Sequence, residues 1–201
     1  DDVYQQLIEE LTWATQNGPE VDHSNKYLLS KAFAHGMLAR VYAEKSAHQD
    51  WNKVAEHCEI VEGMGFTLCE DYGQMWAYDD NDAVRNTSES IFEVTWTRDN
   101  GNWIWMMYHR NYYDPNNSYT WIKWITPSRD LIAAYDAEGD TERANACITY
   151  DHTGTDPNSA WSNYYPADNY AFMHKCPTNA SSTILMRLGE IYLLHAEALC
   201  M

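Results

Sequence analysis

Small and apolar side chains recur at helical spacing most clearly between Ser30 and Gly63. In the first half of that stretch Ala32, Gly36, Ala39 and Ala43 return every three or four residues, lining one helical face with side chains short enough to let a neighbouring helix approach closely. In the second half Trp51, Val54, Ala55, Cys58 and Val61 share a stripe while Lys53, Glu56, Glu59 and Glu62 fall largely off it, the pattern of an amphipathic helix. Gly63 and Gly65 stop that helix. The break from Ser46 to Asp50 is short enough to make the two helices antiparallel neighbours, and Asp50 is placed to cap the second.

Periodicity elsewhere is coarser. Val3, Tyr4, Leu7, Ile8, Leu11 and Ala14 predict a helix from Asp1 to Gln16, ended by Asn17-Gly18-Pro19, and Glu20 to Lys26 reads as a polar connection. Phe66, Leu68, Tyr72, Met75 and Trp76 form one compact hydrophobic cluster that plugs the scaffold. Asp79 to Ser90 reads as a solvated acidic loop; its Asp79-Asp80-Asn81-Asp82 lacks the central glycine and terminal glutamate of a calcium loop. Ser90 to Thr97 is the best strand, and Thr126-Pro127-Ser128 opens a helix with Leu131, Ala134 and Tyr135 on one face and Gly139 at its end. Residues from Glu142 to Tyr150 are ambiguous, and Asp151 to Lys175 reads as loop with one strand near Tyr170 to His174. Thr183 to Leu199 predicts a last helix with Leu188, Ile191, Tyr192, His195 and Leu199 on one face.

A single helical hairpin cannot bury its own faces, so other helices must stack on it, as tetratricopeptide-like units do. The expected fold is mainly α: stacked tetratricopeptide-like hairpins with long loops and a few short strands, in one domain over residues 1–201.

Composition narrows the partners. The net charge of −17 repels nucleic-acid backbones and anionic lipid, which removes nucleic acid and polybasic membrane binding from consideration. The five cysteines form no CxxC and read as isolated buried thiols. No GxSxG, HExxH, P-loop or Rossmann glycine pattern is present, so no catalysis, no metal and no cofactor is expected. Glu190 and Glu197 share a helical face, but a structural role, such as pairing with Arg187, is favoured over an acid–base one. His195 reads as a satisfied core histidine.

The segment from Arg187 to Leu199, RLGEIYLLHAEAL, resembles the signature of the SusD/RagB family, surface glycan-binding lipoproteins of Bacteroidetes-type bacteria. Lys31-Ala32, Leu38-Ala39-Arg40-Val41-Tyr42, Trp51-Asn52-Lys53-Val54-Ala55, Glu89-Ser90-Ile91-Phe92-Glu93-Val94, Pro127-Ser128-Arg129-Asp130-Leu131 and Gly139-Asp140 with Arg143 follow the family in the same order. The resemblance implies a central-to-C-terminal fragment of such a protein, with the lipid-anchored start upstream and a partner helix downstream. It further implies an outer-membrane, cell-surface location and the capture of oligosaccharide or polysaccharide, passed on to a SusC-like TonB-dependent transporter.

The residues agree in kind. From Trp96 to Trp124 lie five of the nine tryptophans and four tyrosines, set among Asn, Asp, Gly and Ser. A pyranose has a C–H-rich face and a hydroxyl rim, which suits flat indoles and phenols beside amides and carboxylates. The expected ligand contacts are Trp103, Trp105, Tyr108, Tyr112 and Tyr113 with Asn102 and Asn111. For Trp96, Trp121 and Trp124, core packing and exposure stay equally open, and Trp161, Tyr164 and Tyr165 form a weaker second cluster. The alternative is a tetratricopeptide-like protein-interaction scaffold whose aromatics are buried; a glycosidase ranks last, because thirty acidic residues make chance carboxylate pairs inevitable.

Overall fold

The computed structural model describes residues 2–77, 84–97, 99–101, 125–151, 166, 169–176 and 180–201, the Asp151 side chain excepted. Helices dominate the described residues: α1 (Asp2–Asn17), α2 (Lys31–Ala43), α3 (Trp51–Glu62), α4 (Arg129–Glu138), α5 (Thr141–Cys147) and α6 (Leu188–Cys200), with a 3-10 turn over Tyr72–Trp76. Four short strands, β1 (Ser90–Val94), β2 (Ile148–Asp151), β3 (Tyr170–Met173) and β4 (Thr183–Arg187), form two antiparallel pairs, β1 with β4 and β2 with β3. The chain divides into two compact units. The first comprises Asp1–Cys69, Asn86–Val94 and Thr183–Met201, and the second comprises Glu70–Arg85 and Thr95–Ser182.

In the first unit the helical hairpin forms as its periodicity predicts. Asp50 caps α3 by accepting from the Asn52 and Lys53 amides at 3.0 and 3.2 Å, so two N–H groups without helical partners are satisfied. Val54, Cys58 and Val61 are fully buried along one stripe, and Ala32, Leu38 and Ala39 face inward from α2. Burial of a leucine such as Leu38 contributes about 1.5 to 3 kcal/mol, so this packing, more than helix propensity, holds the hairpin. The small face of α2 receives more than a helix. A Cβ at Gly36 would collide with the Met186 side chain of β4 and come within 3.4 Å of Ile191 on α6. α1 has no fully buried residue; its half-buried stripe runs through Tyr4, Ile8, Leu11 and Ala14.

Three departures from the sequence reading have physical causes. The last predicted helix begins late, because Thr183 to Arg187 pairs with β1 (Ser90 opposite Arg187, Val94 opposite Thr183), and Arg187 keeps an extended backbone at the N-cap of α6. Within α6, Leu188, Ile191 and Ala198 are buried while Tyr192 and Leu199 face out. The expected hydrophobic cluster is split: Phe66 packs in the core of the first unit, whereas Met75 is buried in the second and Leu68 is half exposed. In α4 the inward face carries Ile132 and Tyr135, and Leu131 and Ala134 are exposed, since five successive apolar residues give the periodicity no phase.

Charge is buried in the first unit. Glu89 pairs with Arg187 and accepts from the Cys69 amide at 3.1 Å, while its carbonyl accepts from the Leu188 amide at 2.9 Å. Lys26, in the stretch read as a polar connection, is 2 % exposed; its Nζ donates to the Ser90 carbonyl at 2.8 Å and stands 4.4 Å from the Phe66 ring centre. Burial pulls its ammonium below the ordinary lysine value, and the carboxylates of Glu93 and Asp22 oppose that shift. Glu93 is 2 % exposed and accepts from the Asn86 amide at 2.5 Å.

In the second unit, Ser128 caps α4 through the Leu131 amide at 3.0 Å, and Gly139 ends it in the left-handed region at φ 67°, which a residue without Cβ adopts freely. Asp140 then caps α5 through the Arg143 amide at 3.0 Å. Cys147, Ile148 and Ala171 make the buried centre, with Tyr72, Ile132 and Tyr135 packed around it. All five cysteines are free; Cys58, Cys147 and Cys176 are buried and Cys200 is exposed.

Candidate functional site

Each unit carries a cleft whose lining follows from helix and strand geometry. In the second unit, Ile132, Tyr135 and Asp136 stand at i, i+3 and i+4 on α4, so they share a face. Thr141, Ala144 and Asn145 repeat that spacing on α5. On β2, Ile148 and Tyr150 are two apart and so point to one side of the strand. The turn at Gly139-Asp140 folds the two helices together, and the three faces enclose a cleft of about 220 Å³. Its floor is Ile148, 6 % exposed, and its rim includes Tyr150, 50 % exposed.

The electrostatics of this cleft keep its phenols neutral. Burial raises Tyr135 to about 12, reinforced by Cys147 beside it, and burial together with Asp136 raises Tyr150. Asp140 is held below the ordinary carboxylate range by the Arg143 amide and guanidinium, so it is occupied as a cap. The side chains of Asp136 and Asn145, by contrast, take no hydrogen bond from any described residue. The cleft therefore combines an apolar floor, two aromatic rings and open polar groups.

The first unit's cleft, about 530 Å³, lies among α2, α3 and α6 and is lined by Arg40, Trp51, Glu190, Leu193 and Leu194 among others. Two of its charges engage each other, while the exposed Glu44 and Glu197 of the same lining take no side-chain hydrogen bond from a described residue. Arg40 Nε and Nη2 donate to the two Glu190 oxygens at 2.5 and 2.6 Å, and Nη2 also donates to the Leu185 carbonyl at 2.7 Å. Glu190 is thus structural, as expected, but its partner is Arg40; Arg187, the partner suggested by the sequence, is taken by Glu89. His195 Nδ1 meets Glu62 at 2.8 Å, a satisfied histidine between α6 and α3.

The residues expected to contact ligand, Asn102, Trp103, Trp105, Tyr108, Asn111, Tyr112 and Tyr113, lie outside the described residues, as do Trp121, Trp124 and the cluster at Trp161, Tyr164 and Tyr165. Trp96, at the near edge of that segment, is half-buried, and its carbonyl accepts from Arg85 at 2.6 Å. Among the described residues no three metal-ligating side chains come together. The sequence reading missed Asp136, Asn145 and Tyr150 as a group. The repeated i, i+3, i+4 spacing on the two helices was visible, but their convergence with β2 needs the turn at Gly139.

The architecture has close counterparts. A surface glycan-binding protein A from Bacteroides thetaiotaomicron, solved in complex with laminarihexaose, superposes with a TM-score of 0.70 at 16% identity, over 98% of this chain and 49% of that one. The chain has the SusD-like fold. A SusD superfamily protein from the same species gives a TM-score of 0.68 at 19% identity over 97% of this chain and 42% of that one. A SusD-like carbohydrate binding protein from Bacteroides vulgatus gives 0.63 at 17%, over 98% and 39%. The chain thus spans less than half the length of these SusD-like structures. No family model and no curated protein matches the sequence.

Proposed function

We propose that this chain is part of a cell-surface glycan-binding component of a TonB-dependent nutrient-uptake system, which captures oligosaccharide by aromatic stacking and passes it to a SusC-like transporter. The observation that carries the proposal is the likeness, over nearly the whole chain, to a surface glycan-binding protein held in complex with laminarihexaose. The aromatic and amide-rich segment supports it: Trp103, Trp105, Tyr108, Tyr112 and Tyr113 supply ring faces, and Asn102 and Asn111 supply groups for hydroxyls. The net charge of −17 fits a neutral ligand better than an anionic one. Two of the structures above are described as glycan- or carbohydrate-binding proteins, in keeping with a chain that holds sugar without cleaving it. In this reading the protein sits on the outer membrane through a lipid anchor; no helix among the described residues is long and apolar enough to cross a membrane.

Affinity electrophoresis against neutral polysaccharides tests the proposal. Retardation by at least one, relieved in Trp103→Ala and Trp105→Ala, is expected; free migration of the whole protein through every polysaccharide would overturn it. A second reading, a protein-interaction scaffold, is favoured by the outer face of α6, where Leu193 and Leu199 are both 72 % exposed. Acrylamide quenching separates the two, since a sugar platform leaves several indoles accessible and a scaffold with buried aromatics leaves few.

A further inference from the structure

We infer that the cleft between α4, α5 and β2 is a separate subsite for one neutral pyranose ring of a longer glycan. The inference rests on the glycan-binding reading above and adds to it a place of contact outside the Trp103 to Tyr113 segment.

Three observations converge. The first is size: about 220 Å³ lies below the roughly 300–1,000 Å³ of clefts that take a drug-sized ligand, so the space suits a single ring and excludes an enclosed oligosaccharide. The second is the arrangement of surfaces. Ile132, Ala144 and Ile148 give an apolar floor, and Tyr135 and Tyr150 add aromatic walls, which a C–H-rich sugar face requires. The third is open hydrogen-bonding capacity. Asp136 accepts and Asn145 both accepts and donates, and neither side chain is engaged by a described residue, so both remain available to hydroxyls at the rim. Asp140 and Arg143, which would otherwise give the cleft a strong charge of either sign, are paired with each other.

The neutral class follows from what is missing as well as what is present. No cation among the described lining residues would hold a uronic acid or a sulfated sugar. Asp136 is exposed, so it serves a hydroxyl at little desolvation cost and holds an ammonium group only weakly. Tyr150, half exposed at the mouth, lets the ring's substituents continue into solvent, as an internal unit of a chain must.

The test uses the whole 201-residue chain. Saturation-transfer difference NMR is recorded with methyl glucopyranoside, galactopyranoside and mannopyranoside, and with glucosamine, on the unmodified protein and on Tyr150→Ala, Tyr150→Phe and Asp136→Ala. We expect transfer to at least one neutral glycoside, weakened about three- to tenfold in Kd by Tyr150→Ala as the loss of one stacking partner predicts, and retained in Tyr150→Phe. Unchanged urea midpoints for the Tyr150 and Asp136 variants exclude a folding cause. Polysaccharide retention with no effect of Tyr150→Ala on glycoside binding overturns the subsite and leaves the proposed function standing. Glycoside binding that depends on Tyr150, without retention by any polysaccharide, upholds the subsite and overturns the proposed function. Preference for glucosamine over every neutral glycoside overturns the neutral assignment.

Discussion

The two clefts differ in what their polar groups are doing. Between α2, α3 and α6, Arg40 and Glu190 face each other at hydrogen-bonding distance, and the guanidinium also reaches the Leu185 carbonyl, so the polar groups tie β4 and α6 to α2. Between α4, α5 and β2, the charged pair of Asp140 with Arg143 is local to a helix start, and Asp136 and Asn145 are left to the solvent side. The larger cleft thus has its lining cation, Arg40, closed by the fold's own interactions and keeps only the carboxylates of Glu44 and Glu197 open, whereas the smaller one keeps a carboxylate and an amide. Volume is a poorer guide to a binding site than the state of the groups that line it.

That contrast can be tested by substitution. The largest effect belongs to the first unit's buried carboxylate: Glu89→Gln breaks its pair with Arg187 and costs about 3 to 5 kcal/mol, read as a lowered urea midpoint followed by tryptophan fluorescence. Next comes Ile191→Ala, 1 % exposed and packed against the α2 face, at about 2 to 5 kcal/mol by the same measurement. The two clefts are then set against each other directly. Glu190→Ala should cost about 1 kcal/mol and leave sugar binding unchanged, because its pair is a third exposed, while Asp136→Ala should stay within about 0.5 kcal/mol of the parent and weaken sugar binding. Equal stability costs for the two would erase the distinction.

The smallest expected effect concerns pH. His35 and His57 meet through their Nδ1 atoms at 3.0 Å, with Tyr42 stacked on His57. Partial burial, then repulsion from His35, brings His57 down to about 4, and burial also lowers His35. A histidine whose folded value lies below 6.5 takes up its proton more readily when unfolded. Its stabilising contribution is complete above that pH and is lost as the pH falls through about 4. Urea midpoints measured from pH 7 to pH 4 should fall less in His57→Gln than in the parent; parallel curves would show that the pair carries no linkage.

Much of the frame was legible because it is local. The spacing of Ala32, Gly36 and Ala39, the stripe from Val54 to Val61 and the cap at Asp50 each depend on residues within one or two turns, and helix geometry alone converts them into faces and ends. The aromatic segment from Asn102 to Tyr113 was equally plain as composition, and its side chains remain a proposal tied to that composition. What failed depended on partners far away in the chain. Thr183 to Arg187 has the apolar content of a helix and becomes a strand because β1 lies beside it. Lys26 stood in a stretch of polar residues and is buried because the Ser90 carbonyl and the Phe66 ring receive it.

The amino-acid order by itself therefore determined a mainly helical frame, its caps, its charge and its aromatic surplus, since each of these is set by neighbours along the chain. Tertiary structure alone decided which charges pair, that Arg40 takes Glu190 and Arg187 takes Glu89, and that three separate faces converge at Asp136, Asn145 and Tyr150. The reason is physical: a side chain's partner across 98 or 150 positions is fixed by packing and desolvation in the folded state, and no periodicity along the chain encodes it.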